Sequence, residues 1–441
     1  MKKLALTLVL VVLAASLILA VDPAVALWAK WVKENYGGTT ITIAAANHPS
    51  IEAMKKMTSD FEALTGIKVK WECMEEIHLH DKILLEFSSN TKRYDIIMLD
   101  VTWLGEFVSK NVVVPLDDYI NSDKTPAFFD YEDIIPAYRE GLGKFQGTIY
   151  GIPSAGESAF IAYNKEILDK YDISPSELNS YDSLLNVAQE LASKKRLYGI
   201  AMRGRRGHHI VYSWLQFFYP FGARIFDENW NCLLDSPESI ASLEYYVELM
   251  KTAPKGISSF SHEEATSAIM QGLVGLWFDA TALAPWIEDS SRSIVAGKVG
   301  YLAPPAGPKG DYACVAGWNL ALSEQSTKKD VAWQFIVYML SRKMAPTYIA
   351  NGGVVTRTSI LDDPFYQNEF SYFPAVKESL DKAYNLIREG VDWRPRIPEW
   401  PQIGEIMGLE ASLALSGKKT PEEACKDAKA EVEKLMKESG Y

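Results

Sequence analysis

The chain has 441 residues, 48% hydrophobic side chains and a formal charge of -12, which is more length than one core keeps filling and enough apolar material for two. An acidic surface of that size excludes nucleic acid and anionic membrane as natural partners. Four cysteines, Cys73, Cys232, Cys314 and Cys425, lie far apart with no Cys-x-x-Cys spacing, so no metal site is expected, and buried free thiols or at most one bridge are predicted.

Lys2 and Lys3 precede an almost unbroken apolar run from Leu4 to Ala20, and Pro23 breaks it before the small-x-small pattern Ala24-Val25-Ala26. This predicts a Sec signal peptide over residues 1–26, cut after Ala26 or, alternatively, after Ala20. A retained anchor helix is the competing reading. With no cysteine near the cut, lipid anchoring is not available, and a periplasmic mature protein is expected. No later stretch approaches the roughly eighteen apolar residues of a membrane span.

Residues 39–45 read as a first strand, followed by the polar turn Asn47-His48-Pro49-Ser50 and a helix over 51–65. A second strand over 68–72, a helix over 77–90 and a buried strand over 94–99, ending at Asp100 and Trp103, continue the rhythm. Such repetition predicts a parallel sheet with crossover helices, whose strand ends present ligand contacts.

Residues 150–164, YGIPSAGESAFIAYN, open on Gly151 and Pro153, loosen at Gly156 and then alternate as a strand does. They read either as a crossing from one lobe to another or as an ordinary edge strand. Helices follow over 164–171 and 180–193, then a strand over 197–202 that runs into Arg203 to His209, RGRRGHH. That run is a phosphate nest or, preferred here, a single ligand-binding arginine among solvated neighbours, because no Gly-rich helix start has P-loop spacing.

Helices over 236–251 and 262–271 lead to a strand over 274–278, with Asp279 at its end and Trp286 beyond. Residues 313–322 read as a second crossing strand, helices over 328–341 and 344–351 should return to the first lobe, and Gly352-Gly353 should carry the chain back once more. The remainder holds the loop 393–401, WRPRIPEWP, and two closing helices. The expected division is 37–153 with 316–353, and 154–315 with 354–441. The 12 tryptophans suggest that some line a ligand surface rather than a core.

The segments YDIIMLDVTW, YGIP with IAYNKEIL, VGLWFDAT with PW, AGWNLALS, and IPEWPQI with SGKKTPEEACKDA occur in this order across nearly the whole chain. In that order they resemble the family 1 extracellular solute-binding proteins of ABC transporters, the group that includes maltose-binding proteins. The resemblance implies an α/β, two-lobed periplasmic-binding-protein fold with three interlobe crossings and a ligand cleft between the lobes. It implies no catalysis, no cofactor, and a monomer that delivers a sugar or polyol to permease subunits. Positions similar to family contacts are Asp100, Trp103, Glu157, Asp279 and Trp318. RGRRGHH and the arginines of the 393–401 loop, Arg394 and Arg396, depart from the maltose-binding pattern and favour a smaller polar ligand such as a hexitol or hexose.

A polyol both donates and accepts hydrogen bonds, so carboxylates and a planar guanidinium suit its hydroxyls while indole rings cover its C–H faces. Asn47, His48, Asp100, Trp103, Glu157, Arg203, Arg205, Trp277, Asp279, Trp318, Arg394 and Arg396 are the candidate ligand contacts. Asp100 has an alternative role as a helix cap, and Trp277 as a core residue. The competing function is a secreted glycoside hydrolase using two of Asp100, Glu157 and Asp279 as acid and nucleophile. Against it, no nucleophile or metal-ligand motif is present.

Overall fold

The structure, a computed structural model, describes residues 22–441. The apolar run read as a signal sequence lies, up to residue 21, outside the described residues. Pro23, read from sequence as a breaker, begins a helix. Asp22 caps the helix Pro23–Tyr36 by accepting from the amides of Ala24 and Val25 at 2.9 and 3.2 Å, and proline suits the first helical position because its missing N–H is not needed there. Trp28, on the buried face of this helix, donates to Gln334 Oε1 at 2.8 Å and stacks on Tyr338.

In chain order the strands are β1 (Thr40–Ala46), β2 (Lys68–Met74), β3 (Ile96–Asp100), β4 (Lys144–Phe145), β5 (Thr148–Ile149) and β6 (Ile152–Glu157). They continue as β7 (Ala159–Asn164), β8 (Tyr198–Ala201), β9 (Val274–Ala280), β10 (Val299–Leu302) and β11 (Ala316–Leu322). The chain divides into two units: unit 1 runs to Gly156 and resumes over Ala316–Tyr366, and unit 2 comprises Glu157–Val315 and Gln367–Tyr441.

Unit 1 is built on the five-stranded sheet β2-β1-β3-β11-β6. Parallel pairing of β1 with β2 and β3 requires crossover helices, here Pro49–Thr65 and Glu76–Ser88. The antiparallel β11 enters beside β3 with Trp318 opposite Asp100. Hence the carboxyl end of β3 and the amino end of β11 share one edge.

Unit 2 is built on the sheet β10-β7-β9-β8, in which β9 runs parallel to β8 and antiparallel to β7. Every residue of β9 is buried, the pattern of a strand covered on both faces. The stretch 150–164 is therefore two strands in two sheets, β6 in the first and β7 in the second, separated at Ser158.

Among the boundaries that differ from the sequence reading, two bear on the site and the division of the chain. Asp279 does not follow its strand, because β9 continues through Ala280. The chain also does not leave unit 1 at Gly352-Gly353. Arg357, buried, donates to the carbonyls of Asp130 and Leu340, and Ser359 is bound by Asp133 through its amide and hydroxyl at 3.0 and 2.8 Å. These bonds hold the segment in unit 1 up to Tyr366.

Gly156 lies in β6 where a Cβ would come within 2.3 Å of the buried Tyr138 ring. Gly156→Ala should overpack this contact at a cost of about 1–3 kcal/mol and lower the urea midpoint. Gly404→Ala, inside the helix Trp400–Leu415 with nothing within 4 Å of the added atom, should leave it unchanged or raise it.

Candidate functional site

In unit 1 the candidate residues gather at the carboxyl ends of β1 and β3, where open α/β sheets present ligand contacts. Asn47 is exposed and its amide donates to Met74 O at 3.0 Å. His48, buried, caps the following helix through Nδ1, which accepts from the Ser50 amide at 3.2 Å. Asp100 caps the short turn Val101–Trp103, its Oδ1 accepting from the Thr102 amide at 2.8 Å and hydroxyl at 2.5 Å. The capping role left open by the sequence is thus real for Asp100.

The aromatic part of this group is contiguous. Trp103 meets Trp318 edge to face with centroids 5.3 Å apart, and His48 lies 6.4 Å from Trp318. His80, which the sequence did not single out, completes it at 5.2 Å from Trp103. Its Nε2 is 2.6 Å from Glu106 Oε2 and its Nδ1 is 3.1 Å from Asp81 Oδ1. Burial pulls the imidazole pKa down, but the hydrogen bonds to Glu106 and Asp81 outweigh it and raise the pKa above the ordinary 6.5.

In unit 2 the β8–β9 register sets Ala201 beside Trp277, so two residues further on Arg203 reaches Asp279. The guanidinium Nε lies 2.8 and 3.0 Å from the two carboxylate oxygens and a terminal nitrogen is 2.6 Å from Oδ1. Asp279 Oδ1 also accepts from the Ala280 amide at 2.7 Å, and Asp279 is fully buried. Desolvation disfavours the Arg203 charge, yet the Asp279 carboxylate more than compensates and holds it protonated.

Tyr212, from the helix His208–Phe218, organises the rest. Arg203 Cζ lies 4.0 Å and Arg394 Cζ 5.4 Å from its ring centroid, and its hydroxyl is 3.3 Å from Cys314 Sγ. Glu157, 8% exposed, is close enough to interact electrostatically with Arg203, Tyr212 and Cys314. Burial pushes the Cys314 thiol up to about 12, which leaves it a neutral packing group. Tyr212 and Cys314 carried no sequence signal beyond an aromatic run and an isolated cysteine.

The other candidates separate from this cluster. Arg205 is half-buried and near Glu264, Arg206 is exposed, and Arg396 is held by Asp392 at 2.7 and 3.1 Å. Of the three arginines in RGRRGHH only Arg203 is buried. Trp277, expected to cover a ligand face, is a core residue: it has no exposed surface and packs on Phe160 at 5.8 Å. All four cysteines are free, and among the described residues no group of three or more His, Cys, Asp or Glu could hold a metal ion.

The sequence matches the family model of the bacterial extracellular solute-binding proteins over residues 45–346. It is 25% identical over 424 residues to the mannitol-binding protein of Pseudomonas aeruginosa, an alignment spanning 92% of this chain and 95% of that protein. Its structure is similar to that of an ABC-transporter solute-binding protein from Agrobacterium vitis S4 with bound D-mannitol, with TM-score 0.82, 30% identity, and 92% and 100% of the two chains covered. It is also similar to a solute-binding protein from Agrobacterium radiobacter K84 in complex with ribitol, with TM-score 0.83, 28% identity, and 90% and 99% covered.

The His80 contacts set a pH dependence. A group whose folded pKa is raised contributes its full stability below the unfolded value and loses it as pH rises through the folded pKa. The stability lost in His80→Gln should therefore be largest below pH 6.5, the unperturbed value, and should shrink steadily as pH rises above it. Urea titrations of both proteins across this range check the slope; a deficit independent of pH would mean that folding leaves the His80 pKa unchanged.

Proposed function

The chain belongs to the bacterial extracellular solute-binding protein family, and on that premise we propose that it captures a small neutral polyol or sugar and delivers it to the permease of an ABC importer. One observation carries the ligand class: the buried Arg203–Asp279 pair holds a guanidinium beside Tyr212, with Arg394 over the same ring. Planar guanidinium groups donate to two oxygens at once, which matches vicinal hydroxyls. Trp103, partly exposed and backed by the buried Trp318 in unit 1, has an apolar face suited to C–H bonds. Relatives named for or bound to mannitol and ribitol support an alditol in particular.

The family is one of binding proteins, and the chain is not a hydrolase. The arrangement of Asp279 agrees with this, since its carboxylate is committed to Arg203 and to a backbone amide rather than poised as an acid or nucleophile. Its part in binding is then to orient Arg203, in place of the direct hydroxyl contact expected from sequence.

Family membership also supports export, and the structure bears on where the leader would be removed. Cutting after Ala26 would delete the Asp22 cap, its ion pair with Lys343 at 2.5 Å and the buried Val25. Cutting after Ala20 keeps all three and is the reading favoured here. Intact-mass measurement of the exported protein should give a chain starting at Val21; a start at Leu27 would show that this first helical turn is dispensable.

Thermal-shift titration against alditols, hexoses and disaccharides tests the ligand class, because a ligand at 100 times its dissociation constant adds about 2.7 kcal/mol of stability. A shift with an alditol is expected, and none with any neutral carbohydrate would sink the proposal. Asp279→Asn should weaken the bound alditol by roughly tenfold to a hundredfold, since charge-assisted bonds of about 1.5–3 kcal/mol are lost from the group that aims Arg203. Calorimetry alongside a melting curve separates this from simple unfolding.

A further inference from the structure

Charged side chains placed around Tyr212 include two of each sign. Arg203 and Asp279 form one buried pair, and Arg394 and Glu157, each 8% exposed, add one charge of each sign. Neighbouring charges are matched as well: Arg396 is held by Asp392, and Arg205 lies near Glu264. Arg394 differs from Arg203 in one respect. Its Nε is buried and meets no hydrogen-bond partner, whereas Arg203 spends its Nε and a terminal nitrogen on Asp279.

A buried donor without an acceptor is destabilising, and a ligand oxygen would satisfy it. A guanidinium alone would welcome a carboxylate or phosphate at least as readily as a hydroxyl. What changes the preference is the charge beside it. With Glu157 present, an anionic ligand leaves the set with one uncompensated buried negative charge, which is strongly unfavourable.

We propose that Arg394 donates to ligand oxygens and that Glu157 is the specificity determinant that reserves this site for uncharged polyols against sugar acids. This rests on the polyol reading above. It goes further in naming which residue enforces neutrality and in predicting that one amide substitution inverts the selectivity. Glu157→Gln leaves the set with a net positive charge, so an aldonate becomes the charge-matched ligand. Arg394→Gln leaves it net negative, so an amino-alditol becomes favoured.

The experiment is calorimetry of the exported full chain with D-mannitol, D-mannonate and D-glucamine. D-mannonate keeps the carbon skeleton of D-mannitol with one terminal carbon as carboxylate, and D-glucamine is an amino-alditol of the same length. The wild type should prefer mannitol over mannonate by at least about tenfold, equivalent to about 1.4 kcal/mol. Glu157→Gln should shift that ratio toward mannonate by at least about tenfold, and Arg394→Gln should shift the mannitol-to-glucamine ratio toward glucamine. Melting curves accompany each variant, and the second substitution keeps the test decisive if the first fails to fold. A Glu157→Gln ratio equal to that of the wild type, even with weaker binding of both ligands, overturns the proposal and makes Glu157 an ordinary hydroxyl acceptor. A wild type that binds mannonate but no neutral carbohydrate overturns the underlying polyol reading instead.

Discussion

The buried pairing of Arg203 with Asp279 is the constraint on which unit 2 depends. Two desolvated charges are tolerated only when their geometry is nearly saturated, and here it is: the carboxylate takes the guanidinium edge and the Ala280 amide together. The backbone of Arg203 is fixed as well, its amide donating to Ser213 Oγ at 3.0 Å and its carbonyl accepting from the Tyr246 hydroxyl at 2.8 Å. With main chain and side chain both held, the guanidinium has one position relative to Tyr212. That ring in turn is the common neighbour of Arg394 and Cys314. Removing either member of the pair would leave the other as an unpaired buried charge, the costliest kind of defect.

The same pair shows what the sequence could and could not reveal. Each partner was legible as chemistry: an arginine at the end of one strand and an aspartate near the end of another, both at positions where parallel sheets present function. Their meeting was not, because it depends on the register of β8 against β9 across 76 positions of sequence, and nothing local encodes register between distant strands. His80 was missed for a related reason. Its helix reads as an ordinary amphipathic segment, and its partner Glu106 lies 26 residues on. Trp277 was misjudged because composition alone cannot distinguish a strand covered on one face from one covered on both.

Local features were far more legible. The alternation of β1, the apolar runs of β3, β9 and β11 and the periodicity of the helix Tyr181–Ala192 depend on neighbours a few residues apart. The stretch around Gly156 and Ser158 is intermediate. Its softness was readable, but the tethers were not: Gly156 presses on Tyr138 within unit 1, and two residues later Ser158 exchanges bonds with Thr281 in unit 2 at 3.0 and 2.9 Å. Each sheet therefore grips its own flank of the strand pair.

The candidate residues of the two units differ in chemistry. In unit 1, His48 and Asp100 are occupied with capping, and the aromatic group joins the partly exposed Trp103 to the buried Trp318. In unit 2 the group around Tyr212 joins the Arg203–Asp279 pair to Arg394 and Glu157. Aromatic contacts scale with buried C–H area, whereas guanidinium and carboxylate groups respond to a ligand's charge. A chain that exchanged one carboxylate in unit 2 could move from polyols to sugar acids while its aromatic surface in unit 1 stayed as it is.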